Sequence, residues 1–328
     1  MQAARPQPPV EPADLIPREV GALSDPQRDL PRIAKDEALV ARIQRAAQAL
    51  PTEHRLVHGD ARALEWLQPG SVHLVLTSPP YWTLKKYRSS RGQMGDIADY
   101  EQFLADLDRV WTHCYRALVP GGRLICVVGD VCLSRRQNGG RHTVVPLHAA
   151  IQERCRAIGF DNLAPIIWHK IANAAYEVER GSGGFLGKPF EPNAVIKNDI
   201  EFILMQRKPG GYRQPDVATR VLSVLSAEQH GAWFQQIWTG LTGASTREHP
   251  APYPLELAQR LVRMFSFVGD RVLDPFLGSG TTAVAAGQSG RNSIGVEVDA
   301  HYLAQAHKRI ERELVTFFSA ARVVQQDR

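Results

Sequence analysis

The stretch TSPPYW, residues 77–82, places a serine, two prolines and two large aromatic residues together. It follows the apolar run SVHLVL, which is typical of a buried strand, so the stretch is predicted to lie just beyond a strand end. Proline fixes its own backbone angle φ, so the two successive prolines make the backbone just beyond the strand rigid. The pattern therefore predicts a rigid ledge, polar at Ser78 and aromatic at Tyr81 and Trp82.

A second informative stretch, RVLDPFLGSGTTAVAAGQSGRNSIGVEVD, covers residues 271–299. Its start predicts a strand that ends at Asp274, and the glycine-containing turn at residues 278–280 lets the backbone approach a ligand closely. A helix is predicted to begin at Thr281, with its free N–H groups aimed outward. The next strand places Glu297 at its carboxyl end, where a carboxylate can accept both hydroxyls of a ribose. These features predict a nucleoside-binding βαβ unit.

The glycine pattern does not match the dinucleotide fingerprint G-x-G-x-x-G, because the sequence reads GSGTTA. The strand-end Asp274 would repel a pyrophosphate, whereas it suits the cationic amino-acid end of S-adenosylmethionine. An ordinary tight turn with a surface glutamate would show the same short pattern. The loop alone leaves both interpretations open.

Together, TSPPYW and DPFLGSGTT resemble the motifs of the DNA amino-methyltransferases, which methylate exocyclic nitrogens of cytosine or adenine. The catalytic motif of that family is [S/D/N]-P-P-[Y/F/W], and its cofactor motif is D-P-F-x-G-x-G-T. The resemblance extends through LVPGGRLICVVGD, IIWHK and HPAPYPLELAQRLVRMFSFVGD, and covers about residues 55–206 and 249–312. The catalytic motif comes first, which is the order of the family's β group.

The resemblance implies an α/β, Rossmann-like fold of the S-adenosylmethionine-dependent methyltransferases, with a circularly permuted, doubly wound and mostly parallel sheet. Predicted strands and helices alternate along the chain, as such a sheet requires. The strand ending at Glu297 needs a further neighbouring strand, yet none is predicted after the helix YLAQAHKRIERELVTFF. The segment RLVHGD, residues 55–60, is therefore predicted to supply that strand.

The resemblance also implies roles for individual residues. The catalytic set is Ser78, Pro79, Pro80 and Tyr81, with Tyr81 and Trp82 stacking on the target base. The residues expected to contact the cofactor, S-adenosyl-L-methionine, are Asp60, Asp274, Pro275, Phe276, Gly278, Ser279, Gly280, Thr281, Thr282 and Glu297. No metal is expected.

In the family's mechanism, the target base first leaves the duplex stack. The Ser78 hydroxyl and the Pro79 carbonyl would accept hydrogen bonds from the two amino hydrogens, which aims the nitrogen lone pair at the methyl sulfonium. Catalysis is then mostly the positioning of two reactants, without a covalent intermediate. In the family, serine at the first motif position goes mainly with cytosine N4 and aspartate with adenine N6. Ser78 thus favours cytosine and leaves adenine as the alternative.

The four cysteines exclude methylation at cytosine C5, which needs a thiolate, usually in a Pro-Cys pair. No proline precedes any of them, and their spacing does not resemble a zinc site. Cys114, Cys126, Cys132 and Cys155 are therefore predicted to be reduced structural thiols.

Basic residues follow two of the predicted strand ends and suit contacts with phosphate. They are Lys85, Lys86, Arg88, Arg135, Arg136 and Arg141. For any one of them, a solvated surface charge is the simpler interpretation. Residues 207–248, which include Trp233, Phe234 and Trp238, fall where the family inserts its target-recognition region, although these aromatics could be ordinary core.

The sequence predicts four parts. Residues 1–33, with seven prolines and little periodicity, are expected to form a flexible arm. Residues 34–206 form the catalytic half of the methyltransferase domain, 207–248 the candidate target-recognition insertion, and 249–328 the cofactor-binding half. Asp36 is the predicted N-cap of a first helix, which Pro51 stops.

The net charge of +5 and the pI near 9.1 suit a polyanionic partner. Double-stranded DNA is the expected substrate, and a cognate restriction endonuclease and a second copy of the chain are further candidate partners. No apolar run reaches the roughly 18 residues of a membrane span, so a soluble, intracellular protein is expected. The resemblance further implies a cytoplasmic, nucleoid-associated location in a prokaryote.

Two other classes share part of the pattern. A nicotinamide-dependent oxidoreductase would share the sheet and Glu297 but would not explain TSPPYW. A non-catalytic DNA-binding module would explain the basic charge but would leave both motifs without a role.

Overall fold

A nine-stranded sheet runs through the computed structural model, which describes residues 10–84, 87–88, 90–136, 138–170, 198–243, 253–315 and 321–328. The strands are β1 (Thr52–His58), β2 (Val72–Thr77), β3 (Leu118–Val128), β4 (Val131–Leu133), β5 (Thr143–Val145), β6 (Asp161–His169), β7 (Ile200–Arg207), β8 (Ile237–Trp238), β9 (Arg271–Asp274), β10 (Asn292–Glu297) and β11 (Ala321–Asp327).

The order across the sheet is β11, β1, β10, β9, β2, β3, β7, β6 and β8, while β4 and β5 form a separate antiparallel pair. Neighbours from β11 to β3 run parallel, and β7 runs antiparallel to both β3 and β6. This arrangement confirms the predicted mostly parallel α/β sheet.

The helices of the described chain are α1 (Pro26–Ala34), α2 (Glu37–Ala47), α3 (Tyr100–Ala117), α4 (Leu147–Ile158), α5 (Val217–Leu222), α6 (Ala227–Trp233), α7 (Leu255–Phe265), α8 (Thr281–Gly287) and α9 (Ala300–Leu314). Asp36 accepts the backbone N–H of Leu39 at 2.9 Å, which confirms the predicted N-cap of α2. No helix within the described ranges is long and apolar enough to cross a membrane.

Both faces of the sheet are covered by helices. Val75 of β2 packs in one core cluster with residues of α3, whereas Leu74 and Leu76 pack in a second cluster with residues of α7. Successive side chains of a strand point to opposite faces, so this division shows one helical layer on each side. The predicted doubly wound architecture is confirmed.

The N-terminal strand β1 completes the cofactor half of the sheet. It pairs in parallel with β10, with His58 opposite Glu297. On its other side β10 pairs with β9, and β9 pairs with β2 through Leu74 opposite Val272. The sheet is therefore continuous although its strands come from both ends of the chain, as the predicted circular permutation requires.

The prediction that no strand follows the last helix is wrong. Residues Ala321–Asp327 form β11, which pairs in parallel with β1 at the edge of the sheet. The strand reads ARVVQQD, with two adjacent valines and no alternation of apolar and polar residues. An edge strand with little buried surface leaves this weak sequence signal.

The prediction of a flexible arm is wrong for residues 10–33, the part of the arm that the structure describes. Two short 3₁₀ helices, Pro12–Leu15 and Arg18–Val20, precede α1. Val20 and Ile33 are each 1% exposed and pack in a cluster with residues of α2 and α5. The prediction took the prolines as a sign of irregular structure, whereas proline at the first position of a helix, as in α1, favours the helix.

The described part of the candidate insertion, residues 207–243, packs onto the domain. Helix α5 contributes to the cluster formed with α2. Trp238, the last residue of β8, is 2% exposed in the core cluster that contains Leu74 and Leu76, whereas Phe234 is 45% exposed. Residues 244–248 of the predicted insertion lie outside the described ranges. Target recognition by this segment stays a prediction.

A buried carboxylate joins the two halves of the sheet. Asp274, at the end of β9, is 2% exposed and accepts hydrogen bonds from the Thr77 hydroxyl at 2.7 Å and the Thr282 hydroxyl at 2.5 Å. The backbone N–H of Phe276 also donates to it at 3.1 Å. Burial raises the pKa of Asp274, and these donors oppose that shift. The junction fixes Thr77, and with it the start of the ledge at Ser78, against the cofactor half.

Ile33→Ala should lower the free energy of unfolding by about 2–4 kcal/mol, because it leaves a cavity in a packed cluster. Urea denaturation followed by circular dichroism measures the change. Val10→Ala, at a side chain that is 41% exposed, is the matched control and should change stability by less than about 0.5 kcal/mol. Equal, negligible effects of both substitutions would show that the N-terminal segment does not pack.

Asp274→Asn should lower the free energy of unfolding of the cofactor-free protein by about 1–3 kcal/mol, because the amide turns a donor toward a hydroxyl that now donates. Asp327→Asn, whose side chain is 85% exposed in the wild type, is the control and should be neutral. A variant of Asp274 with normal stability and no affinity for S-adenosylmethionine would instead place this side chain on the cofactor.

Candidate active site

A pocket opens at the carboxyl ends of β1, β10, β9 and β2. Strand ends of this kind are the usual ligand site of an open α/β sheet. The predicted cofactor residues that line it are Asp60, Pro275, Phe276, Gly278 and Glu297. Ser78 and Pro80 of the ledge line the same pocket, so the structure brings the two sequence motifs together.

Glu297 lies in the wall of the pocket with both carboxylate oxygens engaged. Oε2 accepts the backbone N–H of Gly278 and Oε1 accepts that of Asp299, each at 2.9 Å. Burial raises the pKa of Glu297 to about 7, and the two backbone donors only partly oppose this shift. Each oxygen keeps a lone pair, so the carboxylate can still accept hydroxyl donors from a ligand.

Asp60 lies at the other side of the pocket, two residues beyond β1. Arg62 donates to both of its oxygens, with Nη2 at 2.6 Å from Oδ2, and also donates to Asp106 at 2.5 Å. Burial alone would raise the pKa of Asp60, but the hydrogen bonds and charge of Arg62 outweigh it and the pKa falls. Arg62 therefore holds Asp60 ionised in a fixed orientation.

The remaining predicted cofactor residues do not line the pocket: they are Asp274, Ser279, Gly280, Thr281 and Thr282. Asp274 and Thr282 bond to each other in the junction described above. Gly280 takes φ of 79° at the start of α8, where a β-carbon would lie 3.0 Å from Ile310. Thr281 accepts a hydrogen bond from Arg309 at 3.0 Å. These side chains shape the loop behind the pocket, and a direct contact with the cofactor stays a prediction for them.

The ledge is less open than its sequence suggests. Ser78 is half-buried, while Pro79 is buried and Tyr81 is only 7% exposed. The Ser78 hydroxyl lies 3.3 Å from the Tyr81 hydroxyl, to which it can donate. Burial, together with the charge of Glu201, raises the pKa of Tyr81 well above its usual value, so the phenol stays protonated.

Trp82 takes φ of 46° and is the one non-glycine residue with positive φ among those the structure describes. Its ring packs against Tyr100, with the ring centroids 5.0 Å apart and the planes 59° apart. The left-handed backbone conformation turns the chain sharply after Tyr81. Stacking of Trp82 on a target base stays a prediction.

Several pocket residues were missed because none of them was singled out in either motif: Tyr87, Gly92, Gln93, Met94, Val298 and Tyr302. Gly92 has φ of 92°, and a β-carbon there would lie 3.1 Å from both Asp60 and Val298. A glycine in RGQMGD, soon after the ledge, is the signal that could have indicated a close approach of backbone to the pocket.

Two charged residues near the ledge were also missed. Glu201, on β7, lies with Oε2 at 3.3 Å from the Tyr81 hydroxyl. Lys170, just beyond β6, donates to Oε1 of Glu201 at 2.7 Å. Both residues lie within segments that the resemblance covered, but nothing in their local sequence separates them from ordinary surface charges.

The basic residues predicted to bind DNA have different surroundings. Arg88 is 59% exposed and lies 3.7 Å from the Asp299 carboxylate. Three arginines are exposed in the loop between β4 and β5: Arg135, Arg136 and Arg141. Lys85 and Lys86 lie outside the described ranges. Within those ranges no cluster of histidine, cysteine and acidic residues is arranged to hold a metal.

Comparisons with a family model and with curated relatives point to the same family. A family model described as DNA methylase, of the N6/N4 methyltransferase type, matches residues 72–308. The type II methyltransferase M.MjaI of Methanocaldococcus jannaschii is 36% identical over an alignment of 281 residues that covers 76% of this chain and 88% of the relative. M.MthZI of Methanothermobacter thermautotrophicus is 33% identical, over 81% of this chain and 78% of its own.

Solved structures agree with these relatives. A DNA modification methylase from Thermus thermophilus, crystallised with S-adenosyl-L-methionine, is 52% identical, with a TM-score of 0.68 over 83% of this chain and 98% of its own. The cytosine-N4-specific PvuII DNA methyltransferase is 16% identical, with a TM-score of 0.57 over 84% of this chain and 97% of its own, and shares the fold alone. The family model spans most of the sheet and both sequence motifs, and the chain therefore belongs to the N6/N4 DNA methylase family.

Proposed function

We propose that this protein transfers a methyl group from S-adenosyl-L-methionine to the exocyclic N4 amine of cytosine in double-stranded DNA. The observation that carries the proposal is that Ser78 and Glu297, one from each motif, line a single pocket. Such a pocket can hold two reacting groups in a fixed relative position, which is the main source of acceleration in a direct transfer.

The pocket residues fit this cofactor. Glu297 offers carboxylate oxygens to the ribose hydroxyls, and Asp60 offers them to the adenine amino group. Phe276, Met94 and Tyr302 supply apolar and aromatic walls for the adenine ring. When bound, S-adenosyl-L-methionine supplies an electrophilic methyl group on a sulfonium sulfur.

The ledge suits an amine that is a poor nucleophile, because its lone pair is delocalised into the base. Acceptors at the Ser78 hydroxyl and the Pro79 carbonyl would each take one amino hydrogen and turn the lone pair out of the ring plane. Proline fixes the direction of its own backbone, so the second acceptor is already oriented before the base binds. Tyr81 would stack on the base, a contact typically worth about 1–3 kcal/mol.

The target base must leave the helix to reach this pocket, since its amine is enclosed in the duplex. The exposed arginines of the β4–β5 loop are suited to holding the DNA backbone, and phosphate contacts of this kind supply affinity without sequence specificity. Relatives named as type II methyltransferases support a role in a restriction-modification system, with a cognate endonuclease as partner. Action on host DNA would place the protein in the cytoplasm, at the nucleoid.

Adenine N6 is the second candidate substrate amine. The neutral hydroxyl of Ser78 and a carboxylate can both accept a hydrogen bond from an amine, so the preference for cytosine depends on the family's association of serine with cytosine. Analysis of the methylated nucleoside therefore decides which base is the substrate.

DNA of diverse sequence incubated with the protein and S-adenosyl-L-methionine should yield N4-methyldeoxycytidine when digested and separated by mass spectrometry. Ser78→Ala should slow methyl transfer by roughly ten- to a hundredfold, because it removes one of two acceptors on the reacting amine. DNA affinity should change little, since phosphate contacts dominate it.

Ser71→Ala is the matched control, because Ser71 lies at the opposite end of β2 and donates to Gln68. It should leave the rate unchanged. N6-methyladenine in the digest would move the assignment to adenine, and the absence of any methylated base would contradict the proposed enzyme activity.

Affinity for S-adenosyl-L-methionine should rise as the pH increases through about 7, because both oxygens of Glu297 are strong acceptors for the two ribose hydroxyls only when the carboxyl is ionised. With a pKa of about 7, the ionised fraction at pH 6 is roughly one tenth, so affinity at pH 6 should be roughly tenfold below that at pH 8. Asp274 and Asp299 are the acidic groups whose charges act on Glu297.

Isothermal titration calorimetry of wild type and Glu297→Gln at both pH values measures this effect. The variant should bind more weakly, and its affinity should not follow the wild-type pH dependence. Any titration of the cofactor itself is common to the two proteins. The same pH dependence in both proteins would remove Glu297 from the ribose.

A further inference from the structure

We propose that Glu201 is a positioning residue that orients the Ser78 hydroxyl through Tyr81 and takes up the proton released by the methylated amine. This inference rests on the proposed function, since it assigns Ser78 to the reacting amine. The side chains involved come from three segments that are distant in sequence. The ledge after β2 supplies Ser78 and Tyr81, the start of β7 supplies Glu201, and the residue after β6 is Lys170, which binds Glu201.

The hydroxyl chain has one direction. Ser78 Oγ lies 3.3 Å from Tyr81 Oη, and Tyr81 Oη lies 3.3 Å from Glu201 Oε2. A carboxylate can only accept, so the Tyr81 proton points toward it and the Tyr81 oxygen is left to accept the Ser78 proton. The lone pairs of Ser78 are then free for an incoming N–H donor.

One other acceptor competes for the Tyr81 proton. The carbonyl of Val127 lies 3.4 Å from Tyr81 Oη. A hydrogen bond to an ionised acceptor is roughly twice as strong as one between neutral groups, so Glu201 is the favoured partner. The separations in the chain are longer than a typical hydroxyl hydrogen bond, as catalytic contacts often are before substrate binds.

Lys170 holds the carboxylate in place. Its Nζ donates to Oε1 of Glu201 at 2.7 Å, which leaves Oε2 for Tyr81. The backbone N–H of Lys170 donates to the Asp199 carbonyl at 2.8 Å, next to the pairing of Trp168 with Glu201 on β6 and β7. The side chain of Glu201 is 12% exposed, so the sheet and the lysine together limit its rotamers.

The other carboxylates at the neighbouring strand ends are engaged elsewhere. Asp274 accepts the hydroxyls of the junction at Thr77 and Thr282. Asp130, after β3, accepts from His148 at 2.7 Å. Among the carboxylates of the described residues, Glu201 is the one whose hydrogen bond reaches the pair formed by Ser78 and Tyr81.

The hydrogen bonds from Ser78 through Tyr81 to Glu201 also give the released proton a path. An N–H bond of the methylated, cationic amine breaks as a new O–H bond forms at Ser78 Oγ. The former hydroxyl proton of Ser78 passes to Tyr81 Oη, and the phenol proton passes to Glu201 Oε2. The amine ends neutral, both hydroxyls are restored, and Glu201 ends as a carboxylic acid. The transfer needs no protein group other than Ser78, Tyr81 and Glu201.

Two substitutions and their combination test the inference. Tyr81→Phe keeps the ring and its volume but removes the hydroxyl, and Glu201→Gln keeps the shape of the side chain but removes its charge. Each should slow single-turnover methyl transfer to DNA by about tenfold. Because Glu201 acts through Tyr81, the double variant should be about tenfold slow and not about a hundredfold slow.

Equilibrium affinities for DNA and S-adenosyl-L-methionine should stay within about twofold of wild type in every variant, since the chain acts on the reacting amine. Asp161→Asn is the matched control. It breaks an ion pair with Arg207 of 2.7 Å at the opposite end of the same β6–β7 ladder, and should leave the transfer rate unchanged.

The possible failures are distinguishable. Wild-type protein that transfers no methyl group would overturn the proposed function and this inference with it. With active wild type, a normal rate for Tyr81→Phe would overturn the inference alone, and this variant keeps the packed ring if Glu201→Gln proves unstable. Multiplicative losses in the double variant would show that Glu201 does not act through Tyr81.

Discussion

The hydrogen bonds that converge on Asp274 are the constraint on which the site depends. This carboxylate accepts from Thr77 at the end of β2 and from Thr282 at the start of α8. Thr77 is followed directly by Ser78, and Asp274 is followed directly by the loop that carries Phe276 into the pocket. A shift of either strand would leave a buried carboxylate without its donors, which costs more than the bonds themselves are worth. The relative position of the two motifs is therefore set by a buried polar group.

The same need for donors governs the acidic residues of the pocket wall. Glu297 is held by two backbone N–H groups and Asp60 by a guanidinium, and the environments move their pKa values in opposite directions. Arg62 keeps Asp60 ionised, whereas burial leaves Glu297 close to half-ionised near neutral pH. One side of the pocket thus carries a permanent charge, and the other carries a charge that a donating ligand can stabilise.

The sequence predicted what is local or fixed by topology. The motifs placed Ser78 and Glu297 correctly at strand ends, and the need for another strand in the cofactor half correctly predicted that β1 pairs with β10. The edge strand β11 and the packing of Ile33 were missed, because neither leaves a periodic pattern. Glu201 was missed for another reason: its partner Tyr81 is 120 residues away, and only the folded sheet brings the two side chains together.

The permuted chain order is compatible with this site because the pocket depends on which strand ends are adjacent and not on the order in which they are connected. Thr77 and Asp274 are separated by 197 residues yet share a hydrogen bond. The segment that leads into α7 is tied to the same junction, since the Tyr253 hydroxyl bonds to that of Thr282. Burial raises the pKa of Tyr253 well above its usual value, so this hydroxyl remains a donor. The connection that closes the permuted sheet and the bond that aligns the motifs therefore belong to one buried network, and a change in either is felt by both.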